Sequence, residues 1–242
     1  VGFVRRDDMR RSYGEVRFSP RPAAIRQVRK FSWTGSLEYI EDGAGHLETR
    51  QASAEFEAEF QSSDRVEISY ADGYEFLQAP FTIASDVTIP DGGYDLGTLR
   101  TAWTFGQQRR ASGTWFVERG AFYEGTRTAF GYSGARVKVS SQLAVEPGIS
   151  INRVRLPFGD FTAKLFSSRT TYTVTPLMFV SGLVQYNSSN NSVSANVRLR
   201  WEYQPGSELF VVFNEGRDTS LQGYPDLQNR SVVVKINRLF RF

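Results

Sequence analysis

The sequence predicts an all-β protein, a membrane-spanning antiparallel up-and-down β-barrel of about fourteen strands. Three observations lead to this prediction. Many segments alternate apolar and polar residues over about 12 to 16 positions, whereas strands of globular proteins have a mode of about five or six. The polar side of these segments carries charges in mid-strand. Alternate connections are short (61–64, 110–113 and 204–206), while the other set holds the long stretches 79–94 and 219–228, as in barrels with tight periplasmic turns.

Composition narrows the classes of function. The 242 residues include no cysteine and a single histidine, His46, which argues against a thiolate metal site or a histidine-based catalytic triad. The net charge is +3, with arginine and glutamate interleaved, so we expect no nucleic-acid partner. The mean hydropathy of −0.38 is mildly polar. This value suits a soluble β-sandwich or propeller, and it equally suits a membrane barrel, in which half of the residues of each strand face a polar lumen. Strand length favours the barrel.

The N-terminal half contains five predicted strands. Residues 2–6 read as the end of one strand, and residues 9–19 form the next, which stops at Pro20 and Pro22 because proline cannot donate to a ladder. Residues 27–40 alternate well and lead into a hairpin at 41–45. Residues 52–60 place Ala and Phe opposite Glu55, Glu57 and Glu59, and residues 65–77 return after a short turn. Residues 79–94 are predicted to be an irregular external loop.

The C-terminal half continues as a meander of eight strands. They are predicted at residues 96–108, 112–122, 126–140, 142–155, 160–174, 177–186, 192–203 and 208–216. No segment between them has a useful helical period, so neighbours must pair antiparallel through hairpins. With the terminal strand the count is thirteen, or fourteen if residues 2–6 are the stub of another.

The terminal strand, residues 229–242, ends the chain with two phenylalanines on its apolar parity. Val232, Val234 and Ile236 share that parity, while Lys235 lies on the other. The ending resembles the last strand of Gram-negative outer-membrane barrels, which the barrel-assembly machinery recognises. Phe240 and Phe242 are therefore predicted to be the C-terminal assembly signal.

The polar parity supplies the candidate functional residues, all predicted to face a lumen: Glu38, Glu55, Glu57, Glu59, Arg100, Arg136, Lys138, Arg198, Arg200, Glu202, Lys235 and Arg241. We predict that the glutamates pair with arginine or lysine on neighbouring strands, rather than serving acid–base chemistry, because glycosidase carboxylates usually converge from different strands. The cations either form a wall that favours anions or neutralise the glutamates, and the sequence leaves both open.

Two further patterns have alternative interpretations. Asp86, Asp91 and Asp95 lie near two glycines, but the spacing of a calcium loop is missing, so a solvated loop is favoured. The four tryptophans, at positions 33, 103, 115 and 201, suit either a sugar-stacking track or an aromatic girdle at the membrane boundary. The girdle is favoured, and no cofactor is predicted.

Three segments, GFVRRDD with a following SPRP, LRWEYQPGSELFVVFNEGRD and NRSVVVKINRLFRF, carry a resemblance to a known family. They resemble the C-terminal half of the bacterial family called domain of unknown function 5916, most strongly over residues 197–242. The resemblance implies a barrel normally preceded by a periplasmic module like a family 9 carbohydrate-binding domain. It implies no enzymatic activity. We therefore expect residues 1–242 to be one barrel domain, the C-terminal part of a longer protein.

These observations predict a non-enzymatic protein of the bacterial outer membrane. It would anchor a periplasmic module or the subunits of an envelope complex, with a polar lumen that either conducts small solutes or is partly filled. Its partners would be the lipid bilayer and, during biogenesis, the assembly machinery. The alternatives are a porin or substrate-specific channel, and an outer-membrane enzyme with its active site on external loops.

Overall fold

The computed structural model describes residues 8–221 and 223–240, which form an all-β fold. Its fifteen strands are β1 Met9–Phe18, β2 Val28–Asp42, β3 Leu47–Phe60, β4 Arg65–Leu77, β5 Phe81–Ala84, β6 Val87–Ile89, β7 Gly92–Phe105, β8 Ala111–Phe122, β9 Gly125–Lys138, β10 Leu143–Leu156, β11 Gly159–Thr175, β12 Met178–Asn187, β13 Ser192–Gln204, β14 Ser207–Asp218 and β15 Asp226–Asn237. Within those two described ranges, no helix is long and apolar enough to cross a membrane.

The thirteen long strands form one sheet whose order follows the chain, β1-β2-β3-β4-β7-β8-β9-β10-β11-β12-β13-β14-β15. The ladders are antiparallel between successive strands, so the predicted up-and-down meander is confirmed. Over the described part of the chain the sheet is not closed, because its order begins at β1 and ends at β15. The possible strand stub at residues 2–6 lies outside the described residues.

The chain divides into two compact units, which are described separately. Unit 1 comprises Val1–Gly106, Trp115–Phe130 and Asn152–Thr162; unit 2 comprises Gln107–Thr114, Gly131–Ile151 and Ala163–Phe242. The registers of β1 to β4 and β7 define the faces of unit 1, and those of β11 to β15 define the faces of unit 2.

The prediction of an irregular loop at residues 79–94 was wrong. The stretch contains a hairpin of β5 and β6, which turns at Ser85 and Asp86, and β7 begins already at Gly92. Strands of four and three residues are too short to show a reliable alternation. Their formation depends on burial: Val87 and Ile89 point into a hydrophobic cluster, while Thr88 between them is exposed.

Two other features differ from the expectations. The terminal strand ends at Asn237 instead of Phe242, because its partner β14 begins at Ser207 and the ladder ends at the Glu208–Asn237 pair. The backbone N–H of Leu239 instead donates to Ser207 Oγ (3.1 Å). The connection over residues 19–27 is also longer than that over residues 219–225, although it belongs to the set expected to be short. The predicted contrast between the two sets of loops is therefore weaker than expected.

The apolar face of the sheet is exposed in both units. In unit 1 one ladder row runs Phe18–Trp33–Phe56–Ile68. In unit 2 a row runs Gly182–Val197–Phe213–Val232. The exposed fractions are high for such side chains, 44% for Trp33, 42% for Val197 and 64% for Val232. A soluble sheet would normally turn this face towards a core.

All four tryptophans lie on strands with more than a third of their surface exposed. In unit 1, Trp33 contacts Phe18, Phe31 and Phe56, with ring centroids 5.1–5.9 Å apart. The exposed fractions of the other three are 47% for Trp103, 38% for Trp115 and 44% for Trp201. Each tryptophan lies in one particular half of its strand. That half is the one farther from the connection 43–46 for β2, 78–91 for β7, 123–124 for β8 and 188–191 for β13.

Candidate functional site

The opposite, polar face of unit 1 holds most of the predicted glutamates in ion pairs. Glu57 lies 3.6 Å from Arg65, and Glu59 lies 2.8 Å from Arg29 and 3.6 Å from Lys30. Most of these partners come from a neighbouring strand, as the alternation suggested. The carboxylates of Glu57 and Glu59 are only 16% and 21% exposed, so the polar face is more enclosed than the apolar one.

Glu38 and Glu55 complete the glutamates of unit 1 that were predicted to face a lumen. Glu38 accepts a hydrogen bond from Arg11 on β1. Glu55 stands between Thr34 and Ser69 in the ladder, and no basic group of a described residue lies within ion-pairing distance of it. The row continues to Arg100, which pairs with Ser69 in the ladder. Glu55 therefore shares a row with Arg100 without contacting it.

Arg100 links charge and aromatic surface on this face. Its guanidinium lies 3.3 Å from Glu67 and 4.7 Å from the ring centroid of Phe116 on β8. A second such arrangement, which the sequence analysis missed, joins Arg127 to Glu118 and to the ring of Phe122. Cation–π contact plus a carboxylate satisfies a guanidinium on both its face and its edge. These arginines are therefore neutralised in place.

The basic residues of unit 2 do not form a continuous cationic wall. Arg200 pairs with Glu208, Arg136 lies 3.9 Å from Glu146, and Lys138 Nζ donates to the backbone oxygen of Gln107 (3.3 Å). Within residues 8–221 and 223–240, Arg198 and Lys235 have no carboxylate partner. The sequence left open whether the cations form an anion-attracting wall or neutralise carboxylates. Neutralisation describes Arg200 and Arg136, but not Arg198 and Lys235, whose charges have no carboxylate partner in the described ranges.

The remaining predicted residues fall into two groups. Glu202 accepts a hydrogen bond from the backbone N–H of Gly206 (3.0 Å) and closes the turn between β13 and β14. Arg241 and Phe242 lie outside the described residues. Phe240, the other half of the predicted assembly signal, is 63% exposed beyond the end of β15.

The feature that sequence reasoning missed is a hydrophobic cluster on the polar face of unit 1. Tyr94 lies opposite Glu75 in the β4–β7 ladder, on the same face as Arg100, and is 5% exposed. The hairpin places Ile89 (0% exposed) and Val87 (4%) in this cluster. Its other buried members are Tyr123, Val154 and Leu156, with Leu77, Ile83, Ala84, Phe122, Phe158 and Phe161 packed around them. The hairpin β5–β6 therefore folds over the polar face instead of projecting into solvent.

A strained turn supports this cluster. Tyr123 and Glu124 both adopt positive φ, 46° and 63°, in the two-residue connection between β8 and β9. Such turns prefer Asn-Gly, and a left-handed conformation costs an ordinary residue about 1–2 kcal/mol. Tyr123 is compensated by burial, by an edge contact with Tyr94 at 5.2 Å and by donation from its hydroxyl to Glu75 (2.7 Å). Glu124 is exposed and has no such compensation.

We expect Glu124→Gly to stabilise the protein by about 0.5–1 kcal/mol, because it relieves the positive φ without removing buried surface. Tyr123→Gly relieves the same kind of strain but removes a buried ring, and should destabilise by about 3 kcal/mol or more. Denaturant unfolding of both variants under identical conditions measures the difference. Equal effects of the two substitutions would show that the turn is not held by the cluster.

His46 has a partner that the sequence analysis did not find. Its Nδ1 lies 2.9 Å from Asp42 Oδ2, and its backbone N–H donates to Asp42 Oδ1 (2.8 Å), which closes the β2–β3 hairpin. The imidazole is 80% exposed. Across residues 8–221 and 223–240, no three acidic or histidine side chains converge as a metal ion would require. Asp86, Asp91 and Asp95 therefore do not form a cation cluster.

Comparison of the chain with protein-family models, with curated proteins and with solved structures found no match.

Proposed function

We propose that the chain is the β-barrel of a bacterial outer-membrane protein and serves as a non-enzymatic anchor for a periplasmic module or partner complex. The observation that supports this proposal is the distribution of polarity over the sheet. Apolar rows are exposed, while ion-paired glutamates occupy the less accessible face. Lipid around the apolar face and an enclosed polar lumen would satisfy both faces.

The edge strands favour closure of the sheet. β1 and β15 each pair with one neighbour among the described strands, which leaves rows of backbone donors and acceptors unpaired. In a bilayer such open edges are not tolerated, so the proposed barrel must close. Thirteen antiparallel strands leave the first and last running in the same direction. An antiparallel barrel of about fourteen strands would therefore need one further strand.

Two features favour an anchor over an open channel. The hairpin β5–β6 covers part of the polar face, held by the fully buried Ile89. Ion pairs such as Arg100–Glu67 and Arg127–Glu118 also occupy this face with side chains that neutralise each other. Both features reduce the space and the net field available to a solute in the proposed lumen. A porin or substrate-specific channel is the second candidate, because Arg198 and Lys235 have no carboxylate partner among the described residues.

The proposed link to a periplasmic module comes from the resemblance over residues 197–242 and not from the geometry. An enzyme on the external loops has less support, because His46 and Asp42 make a surface turn with each other. Co-purification of the full-length protein with envelope components would identify the anchored partner.

The tryptophans test whether the apolar face meets lipid. We expect all four to emit at short wavelength after the chain is folded into phosphatidylcholine vesicles, and to be quenched by lipids brominated on the acyl chain. Bromine near the headgroup should quench Trp103 and Trp201 more strongly than bromine near the bilayer centre, because these two residues lie close to the ends of β7 and β13. A heat-modifiable gel shift would report folding in the same samples.

The control is a water-soluble quencher. Acrylamide should quench the folded protein in vesicles less than the urea-unfolded chain. The proposal would be contradicted by a purified chain that stays monomeric and folded in water without detergent. In that case acrylamide would quench its tryptophans and brominated lipid would not.

A further inference from the structure

The exposed face of unit 1 changes character along β8 and β9. Side-chain exposure alternates from Thr114 to the end of β8, so Trp115, Val117 and Arg119 share the outward parity. On β9 the outward residues run from Phe130 to Thr128 and Thr126, towards the same end as Arg119. The aromatic and aliphatic surface therefore gives way to a cation on β8 and to hydroxyl groups on β9.

β10 continues the cationic surface. Arg153 and Arg155 are exposed, while Val154 and Leu156 beside them are buried in the hydrophobic cluster. The two arginines share one parity, which places their Cα atoms roughly 7 Å apart. With Asp160 and Thr162 they line a polar groove of about 320 Å³.

These arginines differ from two other arginines of the exposed faces, which are held in ion pairs. Arg50 on the exposed face lies 3.7 Å from Asp72, and Arg230 lies 2.7 Å from Glu215. Arg153 and Arg155 make no ion pair with any residue in the described ranges, and Asp160 is the one carboxylate in their groove. The groove therefore holds two unpaired guanidinium groups against a single carboxylate, an excess of positive charge.

We propose that the groove formed by Arg153, Arg155, Asp160 and Thr162 binds a phosphate of a phosphorylated glycolipid headgroup. A guanidinium donates two parallel hydrogen bonds to a phosphate, and cationic side chains beside an apolar surface are favourable partners of anionic headgroups. The inference rests on the proposed function, because a lipid headgroup reaches this face only if the apolar rows are in a bilayer. The turns at 123–124 and 157–158 would then lie at the outer surface.

The phosphate could belong to a lipid headgroup or to a free phosphate ion, and we assign it to the lipid. A free ion would need no apolar surface next to the groove. The outward row of Trp115 and Val117 leads along β8 to Arg119, at the level where an acyl chain would give way to its headgroup. Asp160 should weaken the interaction, since its carboxylate repels a phosphate in the same groove.

The test compares the full chain with two double variants in phosphatidylcholine vesicles that contain purified lipopolysaccharide. R153Q/R155Q is expected to lower the affinity for lipopolysaccharide at least tenfold, measured as glycolipid retained after detergent extraction and affinity capture. R21Q/R26Q removes the same charge from the 19–27 connection, where both arginines are exposed, and should leave retention unchanged. D160N should increase retention.

Chemically dephosphorylated lipopolysaccharide and inorganic phosphate form the two further arms. The proposal requires that dephosphorylation abolish the difference between the parent chain and R153Q/R155Q, and that millimolar inorganic phosphate compete poorly. Equal retention by R153Q/R155Q and R21Q/R26Q would overturn it, as would full displacement by inorganic phosphate. A heat-modifiable gel shift is recorded for every variant. A chain that fails to insert at all would overturn the proposed function, whereas insertion without selective retention overturns only the headgroup site.

Discussion

Leu99→Arg is expected to destabilise the folded protein in bilayers by about 2–4 kcal/mol, the cost of a cation on the lipid face of a barrel near mid-membrane. Leu99 lies in the middle of β7, is 52% exposed and pairs with Tyr70 on the apolar face. For a protein surrounded by water, the same substitution at such an exposed site would change the stability by at most about 0.5 kcal/mol. The substitution therefore distinguishes the two environments. Equilibrium unfolding in vesicles, followed by the heat-modifiable gel shift, measures it.

Thr98→Arg is the matched control, because Thr98 is the adjacent residue of β7 on the opposite face. Its ladder partner is the small residue Ala71, which leaves room for a longer side chain. In the proposed barrel this arginine would face the lumen and cost much less than Leu99→Arg. A larger loss of stability from Thr98→Arg than from Leu99→Arg would reverse the assignment of the two faces.

Replacing residues 78–91 by Asn-Gly is expected to produce steady open channels in planar bilayers, whereas the parent chain, as the proposed anchor, should produce none. Leu77 and Gly92 are paired in the β4–β7 ladder, so a two-residue turn can join them without changing the register. The replacement removes the hairpin β5–β6 from the polar face, together with Val87 and Ile89. It also exposes Tyr94 and Val154, so a modest loss of stability should accompany the gain in conductance.

The connection over residues 219–225 provides the control for this experiment. It joins Asp218 to Asp226, which are also paired in a ladder, so the same Asn-Gly turn can replace it. Its Leu221 and Tyr224 are 74% and 82% exposed, so it covers nothing comparable. Conductance should stay at the level of the parent chain. If the parent chain already conducts steadily and the hairpin replacement changes nothing, the channel alternative would replace the anchor.

The alternation of apolar and polar residues predicted the thirteen long strands of the sheet and the two faces of each. Alternation at period two is a local property, so β4 was predicted with its correct bounds, and the opposition of Glu57 to Phe56 needed no tertiary information. The same alternation identified the polar parity on which the paired cations Arg100 and Arg200 lie. It could not show which charges meet, because the partner of a residue depends on the register of a neighbouring strand.

Contacts between strands are visible only in the folded chain. Glu57 lies beside Arg65, Arg198 has no carboxylate partner among the described residues, and residues 81–89 form a hairpin over the polar face. The residues around Val87 and Ile89 carry no distinctive local pattern. These two side chains are buried by Tyr94 and Val154, which lie on other strands, and by Tyr123 in the turn between β8 and β9. Burial free energy that arises from such non-local contacts cannot be read from a window of a few residues. It was therefore the packing that placed the hairpin over the polar face.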